Sequence, residues 1–159
     1  MNKTIGLMLA VMLILVVGCT TVDIENEMNV NADGVVDSKL TLTFEDGFWR
    51  QTFFEAAEAD LYTKVGNNKL VSEFKLNDEL YNFETSGFWI RRTYKFEVES
   101  TISEELNDDE YLDLDVKNII NMPGTITEVS SNCEIINEQA VCNAGHNEVN
   151  TVKSMCWFC

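Results

Sequence analysis

Histidine and proline are almost missing from this chain, one of each in 159 residues, at His146 and Pro123. A lone His leaves the sequence nearly without its commonest general acid–base and metal ligand. With so little Pro, and with no Gly/Ser-rich tract or internal repeat, nothing marks a linker or a second domain. Positive charge is scarce too: Lys and Arg number 11 against 27 Asp and Glu, a net charge of −16. That balance excludes nucleic acid, whose binding rests on cation–phosphate contacts. It also opposes electrostatic adsorption of the whole chain to anionic lipid. No G-x-S-x-G, H-E-x-x-H or phosphate-cradling glycine loop occurs. The sequence therefore predicts no enzyme, no cofactor and no metal centre.

No apolar run reaches the roughly 20 residues of a transmembrane helix. The longest is Ile5 to Gly18, 14 residues without a polar side chain, behind the short polar start Asn2-Lys3-Thr4. As a helix it would span about 21 Å, which suits a signal-peptide apolar region. It ends in Val16-Val17-Gly18-Cys19. An aliphatic residue, a small residue and then Cys resembles a lipobox, where a lipid is attached to the thiol and the chain is cut before it. Residues 1–18 then form a lipoprotein signal peptide. Cys19 is the lipidation site and membrane anchor, and 19–159 form a single domain of the cell envelope, facing outside the cytoplasm.

Beyond the leader the pattern turns to period two. Val22, Ile24, Met28 and Val30 alternate with polar residues, as do Val36, Leu40, Leu42 and Phe44. A three-residue loop, Ala32 to Gly34, would pair Val30 with Val36 and Ile24 with Leu42. The apolar side chains then share one face, with Gly34 supplying the left-handed residue that such a loop ends on. From Gly47, Trp49, Phe53, Ala57, Leu61 and Val65 recur at i+4, with Phe54 beside them. That spacing predicts an amphipathic helix over about 47–65, ending at Gly66-Asn67-Asn68. Further strands are expected at 70–76, from 89 or 90 to 98, at 116–122, 125–130, 133–136, 139–142 and 149–153, with a short helix near 77–83. The expected fold is α+β: an antiparallel sheet with one main helix packed on a face. Trp49, Phe53, Phe54 and Leu61 are the candidate lining of a ligand cavity between the two.

Besides Cys19 there are Cys133, Cys142, Cys156 and Cys159. Four cysteines outside the cytoplasm allow up to two disulfides. With Asn137-Glu138 as a two-residue turn, Ile136 faces Gln139 and Cys133 faces Cys142, within disulfide range. Cys156-Trp157-Phe158-Cys159 leaves open a terminal disulfide, free thiols, a redox pair or part of a zinc site. The acidic run Asp108, Asp109, Glu110, Asp113 and Asp115 does not match the calcium loop. Arg91-Arg92 point to opposite faces if on a strand, which argues against a joint phosphate clamp.

Taken in order, four features resemble the LppM-type lipoprotein domain. They are the lipobox at Cys19, Val22-Asp23-Ile24 with Asn31-Ala32-Asp33-Gly34, the Trp/Phe-rich helix, and Met122-Pro123-Gly124-Thr125-Ile126-Thr127-Glu128 followed by Asn150-Thr151-Val152. The resemblance covers about residues 16–153. It implies an extracytoplasmic α+β domain that binds lipids or other amphiphiles, and it carries over no catalytic residue. Two functions follow as expectations. One is an anchored lipoprotein that binds an amphipathic ligand. The other is a non-catalytic interaction or assembly protein of the envelope, its protein partner unnamed.

Overall fold

The computed structural model describes residues 22–44, 61–88, 90–100, 114–143 and 148–158. Cys19, the leader, Trp49, Phe53 and Phe54 lie outside these residues, as do His146 and residues 103–113. The strands are β1 (Val22–Val30), β2 (Val36–Phe44), β3 (Thr63–Val65), β4 (Lys69–Lys75), β5 (Tyr81–Phe88) and β6 (Arg91–Ser100). They continue with β7 (Leu114–Asn121), β8 (Thr125–Val129), β9 (Cys133–Ile136), β10 (Gln139–Asn143) and β11 (Glu148–Trp157). Seven form one sheet in the order β3-β4-β2-β1-β7-β10-β9, and four form another in the order β5-β6-β11-β8.

This corrects the expected α+β class, because the fold of the described residues is two packed β-sheets. Their one helical piece is a single 3-10 turn at Asp78–Leu80. The expected main helix fails where it can be checked. Its last turn, Thr63–Val65, is β3, paired with Val71, Leu70 and Lys69 of β4. Thr63 and Val65 are β-branched, stiff at χ1 and better placed on a pleated surface than in a helix. Gly66, at φ +65°, turns a β-hairpin there rather than ending a helix. The sheet is not wholly antiparallel either, since β1 pairs β7 in parallel, Val22 beside Leu114 through Asn29 beside Asn121.

The first hairpin has the register that a shared apolar face demands. Val30 pairs Val36 and Ile24 pairs Leu42. The Gly34 amide donates to Asn31 O at 3.0 Å and the Asn31 amide to Val35 O at 2.9 Å, closing the three-residue loop. Gly34 sits at φ +89°, and a Cβ there would lie 2.8 Å from the Phe83 ring. Glycine is therefore required twice, for the backbone and for the close approach.

Period two places the even-numbered residues of β1, β2, β4, β7 and β10 on one face. Over half of that face lies the four-stranded sheet. Met28, Val36 and Ile120 pack there against Phe96, Val98, Ile126 and Val152. Each such buried side chain contributes about 1.5–3 kcal/mol. The rest of the face holds a second cluster of Val22, Leu40, Leu42, Phe44, Leu70 and Tyr62. Between the clusters runs a polar row across three strands. Ser38 Oγ donates to Asn26 Oδ1 at 2.6 Å, and Asn26 Nδ2 donates to Asn118 Oδ1 at 3.4 Å. Ser38 and Asn118 are buried. The row satisfies its own members, which is the condition for polar groups to be held in a core.

Candidate functional site

On the opposite face of the seven-stranded sheet, β2, β4 and β3 set Thr41 beside Val71 and Thr63, and Thr43 beside Lys69 and Val65. Lys39 pairs with Glu73 one step along. These odd-numbered positions face away from the apolar core because strand side chains alternate. An open groove of about 600 Å3 lies here, lined by Lys39, Thr41, Thr63, Lys69 and Val71, with Leu61 and Tyr62 at its margin. A second groove of about 430 Å3 adjoins it, sharing Lys39 and Glu73 and reaching Asn29, Asp37 and Phe74. Both volumes fall in the range of small-molecule sites. The walls mix Val65, Val71 and Leu61 with the cations of Lys39 and Lys69 and the carboxylate of Glu73 beside Lys39. Burial pushes the Tyr62 phenol above its ordinary value, so it stays protonated at neutral pH and keeps its donor.

Among the candidate lining residues, Leu61 borders this groove, while Trp49, Phe53 and Phe54 lie outside the described residues. The sequence reading missed Lys39, Thr41, Lys69 and Val71, because alternating polar residues read as a solvated strand face. The signal present was charge: Lys39, Lys64, Lys69 and Lys75 gather within 37 positions of a strongly acidic chain. Among the described residues no group of three or more His, Cys, Asp or Glu side chains could hold a metal ion. No helix among them is long and apolar enough to cross a membrane.

The late cysteines that are described are disulfide-bonded. Asn137 and Glu138 both take positive φ, 50° and 68°, as a two-residue hairpin turn of the primed type requires. Ile136 then pairs Gln139, and Cys133 pairs Cys142. The two are joined by a disulfide with Cα atoms 4.0 Å apart. It is buried in the main core. Ser130 Oγ lies 3.2 Å from Cys133 Sγ and can donate to it, while accepting the Thr151 amide at 3.1 Å. Cys156 is disulfide-bonded as well. Arg91 and Arg92 lie on β6, on alternate faces, both exposed.

No protein-family profile and no curated protein matches the chain. Solved structures of similar shape include the NMR structure of the folded domain of the Mycobacterium tuberculosis LppM protein. The match covers 89% of this chain and 91% of that one, at a TM-score of 0.42 and 9% identity. The likeness is weak and confined to the fold, with no shared sequence family.

Proposed function

We propose that the chain is a lipoprotein anchored through Cys19 and facing outside the cytoplasm, whose groove on β2, β4 and β3 takes an amphipathic ligand with an anionic head. The groove carries the reading. Lys39 and Lys69 are placed to meet negative charge, and Val65, Val71 and Leu61 offer apolar surface for a tail. Location rests on independent support. The apolar run ends directly at the lipobox Cys, and the Cys133–Cys142 disulfide suits an oxidising compartment.

The test is lipid binding by the full chain. Mass spectrometry of co-purified amphiphiles identifies the class, and titration with an anionic fluorescent acyl probe gives the affinity. Lys39→Glu with Lys69→Glu is expected to weaken probe binding about tenfold or more, since each reversed charge replaces an attraction with a repulsion. Both lysines are on the surface, so the unfolding midpoint should hold. Unchanged probe affinity in a folded double variant would remove the groove from the function.

A further inference from the structure

A different part of the molecule gathers exposed aromatic side chains beside arginine. At one end of the four-stranded sheet, β5, β6 and β11 align Phe88, Arg91 and Trp157 in one cross-strand row. The pairing continues past β11, where the Phe158 amide donates to Ile90 O at 3.0 Å. Large apolar side chains stand out into water here: Phe88 is 83% exposed, Phe158 75%, Trp157 59% and Ile90 43%. Arg91 holds its guanidinium 5.4 Å from the centre of the Trp157 ring. Further down the sheet, Lys95 and Lys153 are paired with Glu97 and Glu128 at 2.9 and 2.8 Å.

Charge is distributed unevenly. Residues 85–95 and 149–159 contain no Asp or Glu, in a chain with 27 of them. The net charge of −16 opposes adsorption of the molecule as a whole, but this end is locally cationic and aromatic. Exposed aromatics flanked by Arg are the composition that settles at a bilayer interface, rings among the acyl–headgroup boundary and cations at phosphate. Side chains that project singly from a strand end offer no concave seat for a folded partner, whereas a fluid bilayer conforms to them.

The end also has a direction. Asn121 pairs with Asn29 beside the Gly34 turn, and only Met122-Pro123-Gly124 lead from it to β8. A Cβ on Gly124 would lie 2.5 Å from Met155 O and 2.9 Å from Cys156 Cβ. Thus the aromatic row stands at the Gly34 end of the molecule. Val22, three residues after Cys19 in sequence, begins β1 at the other end, roughly 26 Å away along the strand.

We propose that the Phe88/Ile90/Trp157/Phe158 end docks on an anionic lipid bilayer, with Arg91 and Arg92 meeting the phosphates. This end points away from the membrane that holds Cys19, so the bilayer it meets is a second one. That orientation rests on the anchoring reading; the docking does not.

The full chain in phosphatidylcholine nanodiscs, offered fluorescent vesicles, tests both. It is expected to capture phosphatidylglycerol-rich vesicles and not phosphatidylcholine vesicles, with capture falling as salt rises. Arg91→Gln with Arg92→Gln should lower capture roughly twentyfold, the loss expected for two cations at an anionic surface. Trp157→Ala with Phe158→Ala should lower it roughly tenfold or more. Ile135→Ser with Ile136→Ser, exposed apolar positions on β9, should leave it unchanged. If the chain does not enter the nanodiscs, the anchoring reading fails. The same vesicles are then offered to the free chain, and the same ratios are expected. Equal capture of neutral vesicles, undiminished capture by the Trp157/Phe158 variant, or cross-linking of this end to a second copy or another protein in place of vesicle capture would overturn the proposal.

Discussion

Cys133 and Cys142 show how far a few residues can specify a contact. Asn137-Glu138 is short enough to fix the register, and the register puts two sulfurs opposite each other. The sequence separation is 9, so closing the loop restricts the unfolded chain and stabilises by about 2–3 kcal/mol in the loop-entropy description. Replacing both by Ala should lower stability by that amount, measured as the urea midpoint in non-reducing buffer. Peptide mapping without reductant should find the two joined. Equal midpoints for variant and native chain would show that the bridge contributes nothing. A residue-scale feature that no pattern announced is Tyr94. It is fully buried, and its hydroxyl has no hydrogen-bond partner among the described residues. Its face, shared with Phe96 and Val98, follows from alternation, and Phe83 of β5 stacks on its ring with centroids 5.9 Å apart.

At the scale of elements, Glu97 ties three strands together. Its carboxylate accepts Lys95 Nζ of the same strand at 2.9 Å, Asn82 Nδ2 of β5 at 3.2 Å and Thr151 Oγ1 of β11 at 3.4 Å. The bond from Lys95, and then that from Asn82, hold the carboxyl below its ordinary value. Glu97 in turn raises Lys95 above its own. A lowered carboxyl contributes stability above the unfolded value and loses it as pH falls through the folded one. The raised lysine works the other way, its contribution lost only as pH climbs past its ordinary range. Glu97→Gln should therefore lower the unfolding midpoint slightly at neutral pH, and the gap from the native chain should close on acidification below the ordinary carboxylate range. Thermal scans at several pH values check this. A gap that widened in acid would mean the carboxylate is not the group responsible. The pair is solvent-facing, so salt should shrink the gap as well. Most strand positions were legible because alternation is local, but β5 (Tyr81–Phe88) was not, its first residues falling in the short helix expected near 77–83. Thr63–Val65 was misread because a four-residue apolar spacing imitates a helix until a neighbouring strand claims the backbone.

For the molecule as a whole, the anchoring reading makes Cys19 decisive. Cys19→Ala should release the protein from the membrane fraction and abolish its lipid modification, read by fractionation and by the mass of the N-terminal peptide. Unchanged membrane partition, with no lipid on the native chain, would reject the anchor. The two proposed surfaces are separable, because the groove lies on the outer face of β2, β4 and β3 while the aromatic row ends the other sheet. Variants in one should not move the readout of the other.

Local chemistry was enough to determine the strands of the β1–β2 and β9–β10 hairpins, the left-handed Gly34, the opposition of Cys133 to Cys142 and the apolar character of Tyr94, Phe96 and Val98. Each depends on residues close in the chain or on a period-two pattern within one strand. The division into two sheets, the parallel pairing of β1 with β7, the lysine groove and the aromatic end were decided only by tertiary structure. Phe88 meets Arg91 through a turn, but Trp157 reaches them from 66 residues further on. A contact of that kind leaves no periodic trace in the sequence, because the residues that make it are ordered by the packing of strands and not by their spacing along the chain.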